Sequence, residues 1–220
     1  RLSVGPLLHV GGGFMTSHWG LGLLANDGAH GWEPGSARFT DPRGGDLVLR
    51  GFLGTGPLTA ARLVATVAFD KVWDDVTLLS GDAAYQIVAS ALIGHDRPHQ
   101  GGFFFVHRRQ TAADGSILNV SVIDLAGRVQ VKLKRATLAF EAEAAVVAGE
   151  TTLGASPEYR RARVLQIGAV LRASLAFARA GGVLDLVYAS GDQNTHDVGA
   201  TGFHADPNFE TGLLLFRYVQ

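Results

Sequence analysis

Cysteine is absent from the 220 residues, which excludes disulfide bridges and thiolate chemistry. Charge is scarce: Asp, Glu, Lys and Arg make up 18% of the chain, against about 25% in an ordinary globular domain. The formal net charge of -1 lacks the basic footprint of a nucleic-acid binder, so no nucleic-acid partner is expected. Although 47% of the residues are hydrophobic, no run reaches the roughly 18 uncharged apolar residues that a membrane-crossing helix needs. No leader-like segment opens the chain. It starts Arg1-Leu2-Ser3, already strand-like, and stops at Phe216-Arg217-Tyr218-Val219-Gln220 in what reads as mid-strand, so a fragment of a longer polypeptide is expected. The eight His residues are scattered, with no His-Glu-x-x-His pair. No P-loop or Gly-x-Ser-x-Gly elbow occurs either.

What is present is alternation. In residues 160–178, Leu165, Ile167, Ala169, Leu171, Ala173, Leu175 and Phe177 share one parity, while Gln166, Gly168, Arg172 and Ser174 share the other. Side chains of a strand alternate between its faces, so this segment has one dry and one wet side. Residues 58–73 repeat the pattern, with Ala61, Leu63, Ala65, Val67 and Phe69 opposite Arg62, Thr66 and Asp70. Residues 84–94 and 136–148 do the same, the latter with Leu138, Phe140, Ala142, Ala144 and Val146 opposite Glu141 and Glu143. In residues 117–133 the parity slips from Leu118, Val120 and Val122 to Leu125, Val129, Val131 and Leu133, and a bulge between Val122 and Leu125 is expected to restore one face. Residues 2–14 read as a strand interrupted by Gly11-Gly12-Gly13, and 213–220 as a final strand.

Connections alternate in length. Short turns are expected at Thr55-Gly56-Pro57, Pro98, Lys134-Arg135 and Gly181-Gly182, and longer loops near Gly28, Asp75, Asp114, Gly154 and Gly199. Amphipathic segments of roughly 9–11 residues with this loop asymmetry are the signature of a transmembrane β-barrel. The expected fold is therefore all-β, an antiparallel up-and-down transmembrane barrel in one domain, with about ten strands visible and more in the intact barrel. Amphipathic strands also build soluble sandwiches and lipocalin-like barrels, and the Ala- and Glu-rich piece at 139–148 suits a helix. A helix would leave Glu141 and Glu143 among apolar neighbours.

In a barrel, charges on the wet face tune selectivity, whereas on the lipid face they are costly. The inward candidates are Arg62, Asp70, Asp124, Arg128, Lys132, Glu141, Glu143, Arg172 and Asp185. Arg172 and Asp185 flank the Gly181-Gly182 turn and are placed to face each other. Such charges either line the passage or pair to stiffen its wall. Trp73, Tyr85, Tyr159, Tyr188 and Tyr218 fall near strand ends, where barrels carry aromatic girdles, and Trp19 and Trp32 lie in the first loop. The loop at 190–212 carries Asp192, Asn194, Asp197, Phe203 and Asp206, and is the expected constriction or gate. Asp192, Asn194 and Asp197 are oxygen donors at calcium-loop spacing, without the Gly and terminal Glu of an EF-hand. The same residues cap turns with no metal. No other cofactor is expected.

A strand ending in Ser190-Gly191-Asp192, followed by Asn194, Asp197 and then Phe203, resembles the porins of the alginate-export type. The stretch Ser17-His18-Trp19-Gly20-Leu21-Gly22-Leu23-Leu24-Ala25-Asn26-Asp27-Gly28 is also similar to a strand-to-loop junction of that class. The resemblance implies a large monomeric barrel in the outer membrane of Gram-negative bacteria, passing a solute through a lumen sometimes narrowed by infolded loops. Alginate exporters carry a strongly basic lumen, while the inward candidates here have both signs. The expected function is thus a non-enzymatic, porin-like channel for small polar or carbohydrate-like solutes, in contact with the lipid bilayer and lipopolysaccharide. The alternatives are a structural or adhesive barrel whose loops bind a partner, and a rim-site hydrolase using Ser190, Asp192, His196 and His204.

Overall fold

A computed structural model describes residues 2–4, 7–28, 45–153, 161–192 and 198–209. Eleven strands form one sheet: β1 (Leu2–Val4), β2 (Leu8–Met15), β3 (Leu47–Leu58), β4 (Leu63–Asp74), β5 (Ala83–Ile93), β6 (His99–Thr111), β7 (Ile117–Lys132), β8 (Ala136–Thr151), β9 (Ala162–Phe177), β10 (Gly181–Ala189) and β11 (Gly199–Ala200). The first ten follow chain order as an antiparallel meander, and β11 pairs in parallel with β9. No helix occurs among the described residues, so residues 136–148 belong to β8. β1 and β10 are not paired with each other, and the sheet is open.

The period-two pattern sorts the side chains into two faces. Along β4, Val67, Phe69 and Trp73 are exposed while Ala68, Asp70 and Val72 between them are buried. Register carries this sorting from strand to strand. Val67, Ala89, Phe105, Ile123, Val146 and Ile167 are successive pairing partners from β4 to β9, all on the bare face. Large apolar side chains dominate this face over most of the strand length. Toward the end that carries the longer connections, the row changes character. Phe14, Leu49, Lys71, Tyr85, Arg109, Asn119, Glu150 and Arg163 are partners in sequence from β2 to β9.

This row explains a correction. No bulge lies between Val122 and Leu125, because β7 pairs without interruption with both β6 and β8. Leu118, Val120 and Val122 share the face of Asp124, opposite Leu125 and Val129. The apolar parity switches because Asn119 and Ser121 lie past the apolar band, where the bare face turns polar; the strand itself does not slip. Other boundaries also move. Residues 2–14 form two strands, and Gly11 sits inside β2, where a Cβ would lie 2.4 Å from the Phe52 ring. Gly56 and Pro57 belong to the end of β3, with a register irregularity between Thr55 and Leu58, and the turn is residues 59–62. Gly181 and Gly182 open β10, so the turn before it is residues 178–180. The expected strand at 213–220 lies outside the described residues, as do Trp32, Tyr159 and Tyr218.

The uninterrupted register is directly testable in a chain with no cysteine of its own. A Ser121→Cys/Ala148→Cys pair should oxidise to a crosslink, since these positions face each other across β7 and β8. A bulge would offset the pair and leave both thiols free. Electrophoresis without reductant reads the result.

Candidate functional site

The covered face of the sheet holds most of the charge and two segments of chain packed on it. Two rows of paired polar side chains come first. On β3 to β6, Arg50, Asp70, Gln86 and Arg108 are successive register partners. Arg50 grips Asp70 with two bonds of 2.7 Å, and Gln86 Nε2 donates to the same carboxylate at 3.0 Å. Arg108 donates to Asp75, to Gln110 and to Thr77. On β7 to β10 the partners are Arg128, Glu141, Arg172 and Asp185, alternating in sign. Arg172 donates to both Asp185 oxygens at 2.7 Å, and the Arg128 Nε lies 3.7 Å from Glu141. Alternating charge across neighbouring strands stabilises a sheet face, whereas like charges side by side would oppose it.

Residues 16–28 cross this face as a strap. Ser17 Oγ accepts from Arg50 on β3 at 2.9 Å. The Trp19 indole stacks on Phe104 of β6, with ring centres 5.7 Å apart and planes at 20°. Gly102 leaves the room for it, since a Cβ there would sit 2.8 Å from the indole. The strap closes on itself through Trp19 N to Ala25 O and Gly22 N to Trp19 O. Gly20, at φ +56, passes so close to Glu143 and Ala126 that a side chain would collide with both. Glu143 then accepts from the amides of Leu21 and Leu23, the second at 3.1 Å. Asp124 lies beside Glu143 and the Trp19 indole.

The second segment is residues 198–209. Phe203 enters a seat made by Gly168, where a Cβ would lie 2.3 Å from the ring. With Phe209 it joins Leu21, Leu23, Ala145 and Val170 in one buried apolar cluster. Asp206 accepts from the amides of Asn26 and Asn208, and its own amide donates to Leu23 O, tying the two segments together. Ser190 holds the start of this segment: its hydroxyl donates to Thr201 O and accepts from Ile167 N.

No family model, curated protein or solved structure matches this chain. The reading of the site therefore stands on its geometry.

The acidic groups at the end with the longer connections converge. Burial and the nearby Asp75 and Asp206 carboxylates push the Asp46 carboxyl up to about 7, against the pull of Arg108. Burial, aided by Asp27, raises Asp206 to about 6 despite the amides it accepts from. Burial also acts to raise Asp75, but Arg108 and Thr77 bind its charged form, and the net effect is a carboxyl below the usual range. The strap, the entry to β3, the 75–82 connection and the 198–209 segment thus share one electrostatic neighbourhood.

Several sequence expectations are corrected here. Asp70 and Asp124 have no exposed surface, Glu143 has 1% and Arg172 has 7%. They lie on the expected face, but pairing and the two packed segments cover them, so they do not line an open passage. Arg62 is not on a strand: it lies in the 59–62 turn at φ 54, bonding His95 O and pairing with Asp96. Arg128, Glu141 and Asp185 are partly accessible on the covered-face side, and Lys132 is exposed at the end of β7. Phe203 and Asp206 anchor their segment and do not project from it, while Asp192 is exposed. Asn194, Asp197 and His196 lie outside the described residues. Among the described residues no cluster of three or more His, Asp or Glu is arranged to hold a metal.

Sequence reasoning placed Trp19 in the first loop but missed the course of the strap, and with it the roles of Leu21, Leu23 and Asp46, as well as Arg50, Arg108 and Gln110. A signal was present in the glycines. Gly102 and Gly168 fall at covered-face parity inside strands, where glycine marks close approach by another group.

Two outcomes follow for the strap. Glu143→Ala should strand two buried amides, at a cost of about 1–3 kcal/mol each, and hydrogen exchange should then quicken at residues 21–23. Glu143→Gln retains an acceptor and should keep most of the protection. For a carboxyl with a raised folded pKa, the stabilisation is complete below its unfolded value and is lost as pH rises through the folded one. Asp46 and Asp206 should therefore loosen the packed segments as pH climbs from about 4 to about 7. Asp46→Asn should flatten the upper part of that profile, read by hydrogen exchange or near-ultraviolet dichroism. A pH-independent wild type would overturn the placement of Asp46.

Proposed function

We propose that the protein is an outer-membrane β-barrel, or some ten strands of one, that passes small polar or carbohydrate-like solutes beside an inward-folded strap. The observation that carries this reading is the bare face. Phe69, Ile123, Leu125 and Leu171 are 57%, 55%, 56% and 47% exposed, in aligned rows across the sheet. In water, an apolar surface of that extent marks a binding or membrane surface; in a bilayer it is the solvated state. Backbone groups in hydrocarbon must be satisfied internally, which the ladder, continuous from β4 to β10, does for the strands away from its edges. Closure of the sheet is part of the proposal. The connections accord with it, being shorter at 59–62, 133–135 and 178–180 than at the opposite end. The resemblance to alginate-export-type porins belongs to the same proposal, with the mixed charge of Arg128, Glu141, Arg172 and Asp185 favouring neutral or weakly charged solutes over a polyanion.

The packing of the strap favours a second reading, a structural or adhesive barrel whose interior is filled. Bilayer conductance separates the two. The refolded protein should show discrete steps, and replacing residues 17–25 with a short Gly-Ser linker should enlarge them by about twofold or more, because a wider constriction conducts more. Glu141→Gln should move the reversal potential in a salt gradient toward anions. Inserted protein that carries no current with or without the strap would overturn the pore and leave the filled barrel.

A further inference from the structure

The register row at the border of the apolar band has a composition that the passage does not need. Lys71, Arg109 and Arg163 lie on the bare face and are exposed. They are joined through Tyr85, Asn119 and Glu150 by direct strand pairing. Arg161 pairs with Glu150 at 3.0 Å, so the one acidic member is already neutralised. No carboxylate among the described residues pairs with Lys71, Arg109 or Arg163. With strands about 4.8 Å apart, Lys71 and Arg109 are separated by about 10 Å and Arg109 and Arg163 by about 14 Å. The Lys71 ammonium lies 6.0 Å over the Trp73 ring, and Phe69 stacks on Tyr85, so aromatic rings flank the cations at one level. The row next to it toward the strand centres runs Phe69, Ile87, His107, Ser121, Ala148 and Leu165, apolar at its ends and polar in the middle, and the row after that, from Val67 to Ile167, is apolar throughout. Cations at the border of an apolar band match an amphiphile with an anionic head and apolar tails.

We propose, on the strength of the membrane reading above, that Lys71, Arg109 and Arg163 form a belt that binds the phosphorylated headgroups of lipids in the leaflet on the long-loop side, with the acyl chains lying on the apolar rows below. Free phosphate would satisfy the cations but leave those rows empty.

The test uses the full chain refolded into phosphatidylcholine nanodiscs carrying a minor fraction of spin-labelled phosphatidylglycerol. The immobilised lipid fraction reads binding, and resistance to added protease reads insertion. The wild type should hold phosphatidylglycerol in preference to labelled phosphatidylcholine. Lys71→Gln/Arg109→Gln/Arg163→Gln should lose that preference, by about fivefold per cation at low salt. The charge-preserving Lys71→Arg/Arg109→Lys/Arg163→Lys should keep it, and high salt should erase it in the wild type without extracting the protein. Inorganic phosphate at equal concentration should compete weakly; full displacement by it would overturn the lipid site in favour of a simple anion site. Inserted wild type with no preference would overturn the belt alone. Failure to insert in either lipid would overturn the membrane reading itself.

Discussion

Every side chain between β2 and β10 is committed to one face or the other by the pairing of its strand. A slip of one residue anywhere would turn an entire strand inside out; for β8 it would put Glu141 and Glu143 beside Leu125, Val129 and Leu171 on the bare face and send Phe140 and Val146 to the covered one. One register runs without interruption from β4 to β10. That register brings Arg128, Glu141, Arg172 and Asp185 into one line, and it does the same for Arg50, Asp70, Gln86 and Arg108. The charge ladders follow from the register and also support it, because a one-residue slip of β8 or β9 would carry Glu141 or Arg172 to the bare face.

The ladders in turn make the covered face fit to receive chain. Pairing consumes most of the charge, and what remains between the rows is small: Gly102, Ala126, Ala145 and Gly168. Those positions take Trp19, Gly20, Leu23 and Phe203. Glu143 stands out because its carboxylate is spent on two amides of the strap and not on a cation. A segment with little regular structure lies flat on a sheet only if its backbone donors find acceptors, and Glu143 supplies one that a neutral apolar wall could not. The Asp46, Asp75 and Asp206 neighbourhood gives the same assembly a sensitivity to pH at the end where its segments meet.

The bare face follows a different logic. Its rows run apolar through the strand centres and become polar, cationic and aromatic at one border, where His107 bonds Ser121 and Glu150 pairs with Arg161. On the proposed membrane reading, that banding matches surroundings that change from apolar to polar over the length of a strand. The two faces thus make separate demands: within the strands, charge is confined to one face and one border.

Strand identity, the antiparallel meander and the dry and wet parities were legible in the sequence because alternation is local, and Leu165 to Phe177 need no distant residue to declare their face. The pairing of Arg172 with Asp185 was legible too, since a hairpin brings near neighbours in sequence together. The course of residues 16–28 was not legible, because Trp19 meets Phe104 and Leu21 meets Glu143 across a sequence distance that no local pattern spans. The burial of Asp70, Asp124 and Glu143 was hidden for the same reason: parity assigns a face, but only the chain lying over that face decides whether it is wet. The apparent slip in β7 shows the limit of parity itself. Val120 and Leu125 are both apolar on opposite faces, Val120 buried and Leu125 exposed on the bare band, and only the tertiary structure tells a covered face from a bare one.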